Sequence, residues 1–404
     1  MSFNFVYDRF IDDASPYPNL APLTDISQGT EQLELEWPRI IPVRLLDYCD
    51  QHQYPYQLHT VDSVYPATAW YPVGIGWFDY SIDYFGLMTD QVLDRLRARQ
   101  LRVLFYYHEG DDPTGESLRL NALCDLHSVP HDCYRFVSGN TAADSVDNFV
   151  YFADHELFYW QCTRSSAAVT AHENPRSHRY TALVRRHQAW RAMCLAWMHQ
   201  QGIVDDRSYW SYNGVGLAGR DTDYFRDNPV YLSKYYPGLQ QQPGLWEYAH
   251  WFVTQCPWQS ADQLSSDQHN SHDILVEAHY SDSYINIVLE TLYDAEQSSG
   301  AFLTEKTFKP IRNGQPFVVI GTPGSLATLR RLGYRTFDSV IDASYDGLDN
   351  DSRWAAIQQL LTQLDHADLH AVYQACLADI QHNQQLFLAP KYNRIQELDD
   401  KLTH

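Results

Sequence analysis

Lysine is scarce in this sequence: only five of the 404 residues are lysines, and the first 150 residues contain none. Lysine and arginine together number 29 against 51 aspartates and glutamates, which gives a formal net charge of -22. In the first 150 residues, 22 acidic side chains stand against nine arginines. A negative charge of this size repels polyanions at long range, so any nucleic-acid contact needs a local basic patch.

Several chemical motifs are absent as well. The seven cysteines form no C-x-x-C pair, which excludes a zinc knuckle and favours a reducing compartment. The lack of H-E-x-x-H, G-x-S-x-G, Walker A and G-x-G-x-x-G patterns excludes the common zinc protease, hydrolase, P-loop and dinucleotide readings. We therefore assign no metal and no cofactor.

No window approaches eighteen apolar residues and the start lacks a leader pattern, so we expect a cytoplasmic protein without a membrane span.

What the sequence does contain is an alternation of short apolar runs with helical stretches. Strands separated by helices of about ten residues are typical of right-handed βαβ units and a parallel sheet. The predicted strands are "AWYPVGIGW", "RVLFYYHE", "CYRFVSG", "DNFVYF", "RYTALV", "SYINIVLE" and "PFVVIG". The pattern predicts an α/β fold.

The alternation is interrupted once, by the polar segment Arg164–His178. We place a domain boundary there and expect two doubly wound halves with a cleft between them. The predicted organisation is an irregular N-terminal extension (1–65), an N-terminal Rossmann-like domain (66–170), a C-terminal Rossmann-like domain (176–345) and C-terminal helices that pack back across the domains (346–404).

Two of the five lysines lie three residues apart in "FLTEKTFKPIRNGQPFVVIGTPG". Thr304 stands at a helix N-cap position, and Glu305, Lys306 and Lys309 follow it in the first turns. A helix N-terminus carries unpaired N–H groups and partial positive charge, so the two lysines beside it could hold a diphosphate. Glu305 could accept hydrogen bonds from a ribose diol. The alternative is an ordinary solvated helix face.

A second basic segment runs from Arg176 to Arg191 and contains five arginines and no acid. Arg186 is predicted to end a strand, and Arg191 to lie in the first turn of the following helix, which is the anion-binding end of a βα unit. Together with the lysines, these arginines indicate one anionic ligand. Arg176 and Arg179 are expected to be exposed surface arginines.

In the N-terminal half, the predicted strand "RVLFYYHE" ends in acidic residues. A carboxylate at the end of a strand suits a general base, because burial and neighbouring acids raise its pKa toward neutrality. Glu109 is our candidate, and a loop of solvated acids is the competing interpretation. Asp154, His155 and Glu156 are better explained as a helix start than as metal ligands.

These motifs resemble the α1,3-fucosyltransferase family and related putative glycosyltransferases of bacteriophages, which have the two-Rossmann GT-B fold. "YINIVLE" ends at Glu290, where the family has a Glu-Asn pair, and Thr291 replaces the Asn. "FLTEK" is similar to the family's Tyr-Val-Thr-Glu-Lys signature. The resemblance implies that Glu305 binds the donor ribose, that Lys306 and Arg191 bind the diphosphate, and that Glu109 is the catalytic base.

The resemblance implies a glycosyltransferase that is inverting and metal-independent and uses a nucleoside diphosphate sugar as donor substrate. Arg186, Arg191, Glu290, Thr291, Glu305, Lys306 and Lys309 are the expected donor-binding residues. The acceptor is a glycan or, as for some phage enzymes, a hydroxymethylated pyrimidine in DNA. The alternative is a non-catalytic nucleotide- or glycan-binding protein or virion component with the same fold. The sugar, the base and the oligomeric state stay open.

Overall fold

The computed structural model describes residues 2–7, 44–75, 82–215, 242, 244–259, 276–294 and 299–403. The chain forms two compact units. The first comprises Met1–Leu157 together with Pro390–His404, and the second comprises Phe158–Ala389. The division lies ahead of the polar segment at which the sequence pattern placed it.

The first unit contains a parallel sheet in the order β2-β1-β3-β4-β5-β6. Its central strand β4 is apolar on both faces, and Val103 to Tyr107 are all at most 1% exposed. Such a run is typical of a strand that is covered by helices on both sides. The strands are Phe3–Tyr7 (β1), Tyr56–Thr60 (β2), Trp70–Ile75 (β3), Arg102–Tyr107 (β4), Tyr134–Ser138 (β5) and Phe149–Tyr151 (β6).

Two of these strands correct a prediction. Residues 1–65 are not simply an irregular extension, because β1 pairs in parallel with β2 along five residues and also contacts β3. Neither strand has a strong local signal: β2 is a half-buried edge strand, and β1 mixes apolar and polar residues. Their pairing depends on distant segments, which a local pattern cannot reveal.

The second unit contains a sheet in the order β11-β10-β7-β8-β9. All its pairs are parallel except β8 with β9, which adds one antiparallel edge strand. The strands are His178–Arg186 (β7), Tyr209–Val215 (β8), Trp258–Gln259 (β9), Ser283–Leu289 (β10) and Phe317–Ile320 (β11). The predicted α/β class is confirmed, with one parallel sheet and a second that is parallel apart from its edge strand β9.

Twelve α-helices lie within the described ranges. They are residues 44–52 (α1), Asp90–Arg97 (α2), Pro113–His127 (α3), Asp154–Thr163 (α4), Ala189–Gln200 (α5), Leu245–Thr254 (α6), Ala278–Ser281 (α7), Glu305–Arg312 (α8), Ser325–Arg331 (α9), Asn350–His366 (α10), Leu369–Leu388 (α11) and Tyr392–Thr403 (α12). The helix start predicted at Asp154 is confirmed as the first residue of α4.

The last helix belongs to the first unit, whereas α10 and α11 belong to the second. A buried charge cluster fixes α12 to α4. Glu156 is fully buried, and its two oxygens accept from Lys391 Nζ at 2.9 Å and Arg394 Nε at 3.0 Å. Lys391 is itself only 4% exposed. Burial lowers its pKa, although the charge of Glu156 acts in the opposite direction.

We expect Glu156→Gln to destabilise the first unit by about 3 kcal/mol, because it leaves a buried ammonium without its counter-charge. Differential scanning calorimetry should show a lower melting temperature for one transition. Glu397→Gln is the matched control, since that side chain is 56% exposed on α12. Equal melting temperatures for both variants would show that the cluster does not hold α12.

Candidate anion-binding site at the edge of the second sheet

The carboxyl ends of β7 and β10 form a topological switch point. These strands are neighbours, yet the chain passes from β7 through α5 to β8 on one side, and from β10 through α8 to β11 on the other. In open α/β sheets, ligands bind where the strand order reverses in this way, outside the carboxyl ends of the strands. The first turns of α5 and α8, which follow β7 and β10, are therefore the segments next to the expected ligand position.

Glu290 follows β10 directly and is fully buried. Its Oε1 accepts from the Thr304 backbone N–H at 3.0 Å and from the Thr307 hydroxyl at 2.5 Å. Its Oε2 accepts from the Thr291 backbone N–H at 3.0 Å and from the Thr304 hydroxyl at 2.7 Å. The carboxylate thus fastens the N-terminus of α8 to the end of β10. It acts as a structural clamp, with both oxygens occupied by protein donors.

A glycine lies beside the clamp, directly after the neighbouring strand. Gly321 follows β11, and a Cβ at this position would lie 3.1 Å from both Glu290 Cβ and Ser325 Oγ. Contacts this short force neighbouring atoms to shift. The glycine therefore allows β11 to approach the clamp closely.

Thr304 is the N-cap of α8, as predicted, and its hydroxyl accepts from the Lys306 backbone N–H at 3.4 Å. Lys306 Nζ donates to the hydroxyls of Thr291 and Thr304, both at 3.1 Å, and lies 3.4 Å from Glu305 Oε1. The Lys306 side chain is 30% exposed. Its ammonium therefore lies at the helix N-terminus, on a side chain that is partly exposed.

Arg191 lies in the first turn of α5 and is only 3% exposed. Its Nε and Nη2 donate to the carbonyl oxygen of Glu290 at 2.9 and 2.5 Å, which joins α5 to the end of β10. Within the described part of the chain, no carboxylate pairs with this guanidinium and its Nη1 has no hydrogen-bond partner. A carbonyl and the ring of Trp190 receive this cation instead of a carboxylate, so its charge would favour an incoming anion.

The pKa of Arg191 reflects the burial of its guanidinium. Burial lowers the pKa of its guanidinium to about 10, against the opposing effect of the Glu290 and Glu305 charges. The positive charge of Arg186 lowers the same pKa further. The two positive charges therefore disfavour each other, and a bound anion would offset that effect.

The other predicted donor-binding residues lie on the same segments. Arg186 is the exposed last residue of β7, and Thr291 is half-buried just after Glu290. Glu305 and Lys309 are half-buried on α8. Pro310 lies inside α8, which continues to Arg312. The structure thus brings together Arg186, Arg191, Glu290, Thr291, Glu305 and Lys306, and shows that Glu290 acts by holding the others.

Sequence reasoning was wrong about Arg176, which is 6% exposed. Its Nη1 donates to the carbonyl oxygens of Tyr280 and Ser283, and its Nη2 to the Tyr373 hydroxyl at 2.6 Å. Arg179 is half-buried and pairs with Asp365. Both side chains hold helices of the second unit to its sheet, so neither is a plain surface arginine.

Glu109 lies in the first unit, two residues after β4, and its side chain is 27% exposed. His108 Nε2 lies 3.3 Å from its Oε1. The loop is held against the end of β5: Gly139 N–H donates to the Glu109 carbonyl, and the Asn140 amide donates to the carbonyls of Gly110 and Asp111. A fixed, accessible carboxylate at a strand end is suited to proton transfer.

Asp154, near this loop, has a structural role. It is 2% exposed and accepts from the hydroxyls of Tyr48 and Tyr106 and from Arg44 Nη1. Burial opposes its ionisation, yet the charges of Arg44, His108 and His155 lower its pKa overall.

Over the residues described, no three His, Cys, Asp or Glu side chains are placed to hold a metal ion. In the same part of the chain, no helix has both the length and the apolar composition needed to cross a membrane.

No protein-family model matches the chain, and no curated protein matches it. The chain is similar over its whole length to a solved structure. That structure is of the DNA modifying enzyme β-glucosyltransferase, determined in the presence and absence of the substrate uridine diphosphoglucose. The match covers 100% of both chains at 10% identity and a TM-score of 0.45. At that level the likeness assigns neither an activity nor a substrate to this chain. The fucosyltransferase resemblance of Phe302–Lys306 stays a prediction.

We expect Glu290→Gln to destabilise the second unit by about 2 to 3 kcal/mol, because an amide cannot accept all four hydrogen bonds and the buried donors lose partners. Chemical denaturation measures the loss. Glu173→Gln, at an exposed position of the same unit, is the control. If both variants unfold at the same denaturant concentration, the clamp does not stabilise the fold.

Proposed function

We propose that the chain is a glycosyltransferase that moves a sugar from a nucleoside diphosphate sugar to an acceptor hydroxyl. The observation that carries this proposal is the buried guanidinium of Arg191, whose Nη1 has no partner among the described residues at the switch point. A site of this kind favours an anionic ligand, and a nucleoside diphosphate is an anion that α/β sheets bind at such edges.

Several positive groups lie at this site, so a diphosphate suits it better than a single carboxylate does. Arg191 lies in the first turn of α5, and Lys306 in the first turn of α8. Each helix adds partial positive charge at its N-terminus. The exposed Arg186 completes the set at the end of β7. Two phosphoryl groups can use these groups together.

The same groups serve the chemistry of transfer. The acceptor oxygen attacks the anomeric carbon while the bond from that carbon to the diphosphate oxygen breaks and its electron pair leaves with the diphosphate. Negative charge therefore grows on the leaving group, and Arg191 and Lys306 stabilise it in place. These two cations supply the charge that a metal ion supplies in other transferases. Direct displacement inverts the configuration at the anomeric carbon.

The acceptor proton goes to Glu109 in this proposal. The carboxylate is accessible, its loop is held by Gly139 and Asn140, and His108 lies beside it. Thr291 and Glu305, next to Lys306, are the proposed contacts for the donor sugar and ribose. Lys309, one turn further along α8, is the proposed second lysine for the diphosphate.

The acceptor is a glycan or a hydroxymethylated pyrimidine in DNA, as the sequence resemblance implies. The two classes differ in their response to salt. Activity on DNA falls steeply with ionic strength because phosphate contacts release counterions, whereas activity on a neutral glycan does not.

Lys306→Ala is expected to weaken binding of nucleoside diphosphates at least tenfold and to reduce transfer, with little change in stability because the side chain is partly exposed. Isothermal titration calorimetry with a panel of nucleoside diphosphates measures the binding. Arg335→Ala removes one exposed positive charge from the same unit and is the control. Unchanged affinity in Lys306→Ala would remove the diphosphate assignment.

Glu109→Gln is expected to bind the donor as the unaltered protein does but to lose at least a hundredfold in transfer rate, because an amide cannot accept the proton. Donor affinity is measured by calorimetry and transfer by release of the nucleoside diphosphate. Asp125→Asn, an exposed change in the same unit, is the control. A variant that retains the full rate would show that another group takes the proton.

A further inference from the structure

The indole of Trp190 contacts the guanidinium on which the proposed function depends. Trp190 directly precedes Arg191 in the first turn of α5 and is only 3% exposed. Arg191 Cζ lies over its ring, 5.5 Å from the ring centroid. A guanidinium at this distance is attracted by the electrons of the ring face, and the attraction is stronger where water is excluded. The ring is therefore a second neighbour of the guanidinium, in addition to the carbonyl of Glu290.

Two contacts fix the orientation of the indole. Its Nε1 donates to Oε1 of Gln188, the N-cap of α5, at 3.1 Å. Its ring stacks on that of Tyr293, with the centroids 5.2 Å apart and the planes inclined by 24°. Gln188 precedes α5 and Tyr293 follows β10, so the indole is held from both segments that border the switch point.

Tyr293 is itself held at the start of α10. It is 3% exposed, and its hydroxyl donates to the carbonyl oxygen of Asn350 at 3.0 Å. Arg353 Cζ lies over its ring, 4.4 Å from the centroid. Asn350 is the first residue of α10 and Arg353 is the fourth. Two stacked rings therefore connect the start of α10 to the guanidinium of Arg191.

The hydrogen bonds of Arg191 alone leave one motion open. Its Nε and Nη2 both donate to a single atom, the carbonyl oxygen of Glu290. A planar group that is bonded to one acceptor atom can still tilt about that atom, and such a tilt would move Nη1. Contact with a ring that is itself fixed restricts the tilt, because a guanidinium prefers to lie over an aromatic face.

We propose that Trp190 is a positioning residue, whose indole fixes the plane of the Arg191 guanidinium in the orientation that binds the diphosphate. This inference rests on the proposed function of the same site. Trp190 acts through Arg191 and makes no contact with the ligand. Its contribution is pre-organisation: a guanidinium that is fixed before the anion arrives loses less conformational freedom on binding.

Two variants of Trp190 test this role, with inorganic pyrophosphate as the probe and calorimetry as the measurement. We expect Trp190→Leu to weaken binding about tenfold, because the ring over which the guanidinium lies is lost. Trp190→Phe retains a ring that can stack on Tyr293 and should recover most of that loss. A loss in Trp190→Phe as large as that in Trp190→Leu would contradict a role of the ring.

A double-variant cycle shows whether Trp190 acts through the guanidinium. Arg191→Lys keeps the positive charge but has no planar group whose orientation a ring could fix. In the Arg191→Lys background, Trp190→Leu should therefore change the affinity for pyrophosphate by no more than about twofold. Two independent effects would instead add and give a further loss of about tenfold.

Trp210→Leu is the matched control for loss of a buried indole. Trp210 lies at the amino end of β8 in the same unit, is 5% exposed, and packs against Phe252 and Trp258. This variant should lose stability, as Trp190→Leu does, yet bind pyrophosphate as the unaltered protein does. Melting temperatures are measured in parallel. If Trp190→Leu does not fold, Trp190→Met takes its place, because a methionine fills irregular space more readily.

The outcomes distinguish the two levels of the proposal. Trp190 does not position Arg191 if its folded variant binds pyrophosphate as tightly as the unaltered protein, or loses as much affinity in the Arg191→Lys background as outside it. The proposed function stands in either case. If the unaltered protein binds neither pyrophosphate nor any nucleoside diphosphate, the proposed function itself is wrong.

Discussion

The buried carboxylate of Glu290 is the contact on which the edge of the second sheet depends. Taking a carboxylate out of water is expensive, and four hydrogen bonds from Thr291, Thr304 and Thr307 offset that cost. Two of these donors are backbone N–H groups, one of them at the N-cap of α8. Because the acid is occupied by these donors, its effect on a bound ligand would be indirect: it places Lys306 and the N-terminus of α8 beside the end of β10.

The backbone of the same residue positions the second cation. The carbonyl of Glu290 accepts both hydrogen bonds of Arg191, so one residue sets the first turns of α5 and α8 relative to each other. The guanidinium remains buried without an ion pair among the described residues, and this lowers its pKa. A protein that keeps such a charge sacrifices stability, and this trade-off is characteristic of functional sites. An anion at this point recovers part of the cost on binding.

Sequence periodicity was sufficient for the elements whose own residues are strongly patterned. It predicted β4, β10, α5 and α8. It also predicted that Thr304 is the N-cap of α8 and that the two lysines lie near the start of this helix. It missed β1 and β2, because their partners are distant in sequence. It also misjudged Arg176, since an arginine can be buried when carbonyls and an aromatic ring receive it. The clamp of Glu290 could not be predicted for a similar reason: three of its four donors lie 14 or 17 residues further along the chain.

A crystal structure with a bound nucleoside diphosphate tests the central claim most directly. The account predicts that the diphosphate lies at the N-termini of α5 and α8, with Arg191 Nη1 and Lys306 Nζ within hydrogen-bond distance of its oxygens. Glu290 should keep its four hydrogen bonds to the protein in that complex. A diphosphate bound elsewhere, with the Arg191 guanidinium still buried and in contact only with the Glu290 carbonyl, would contradict the account.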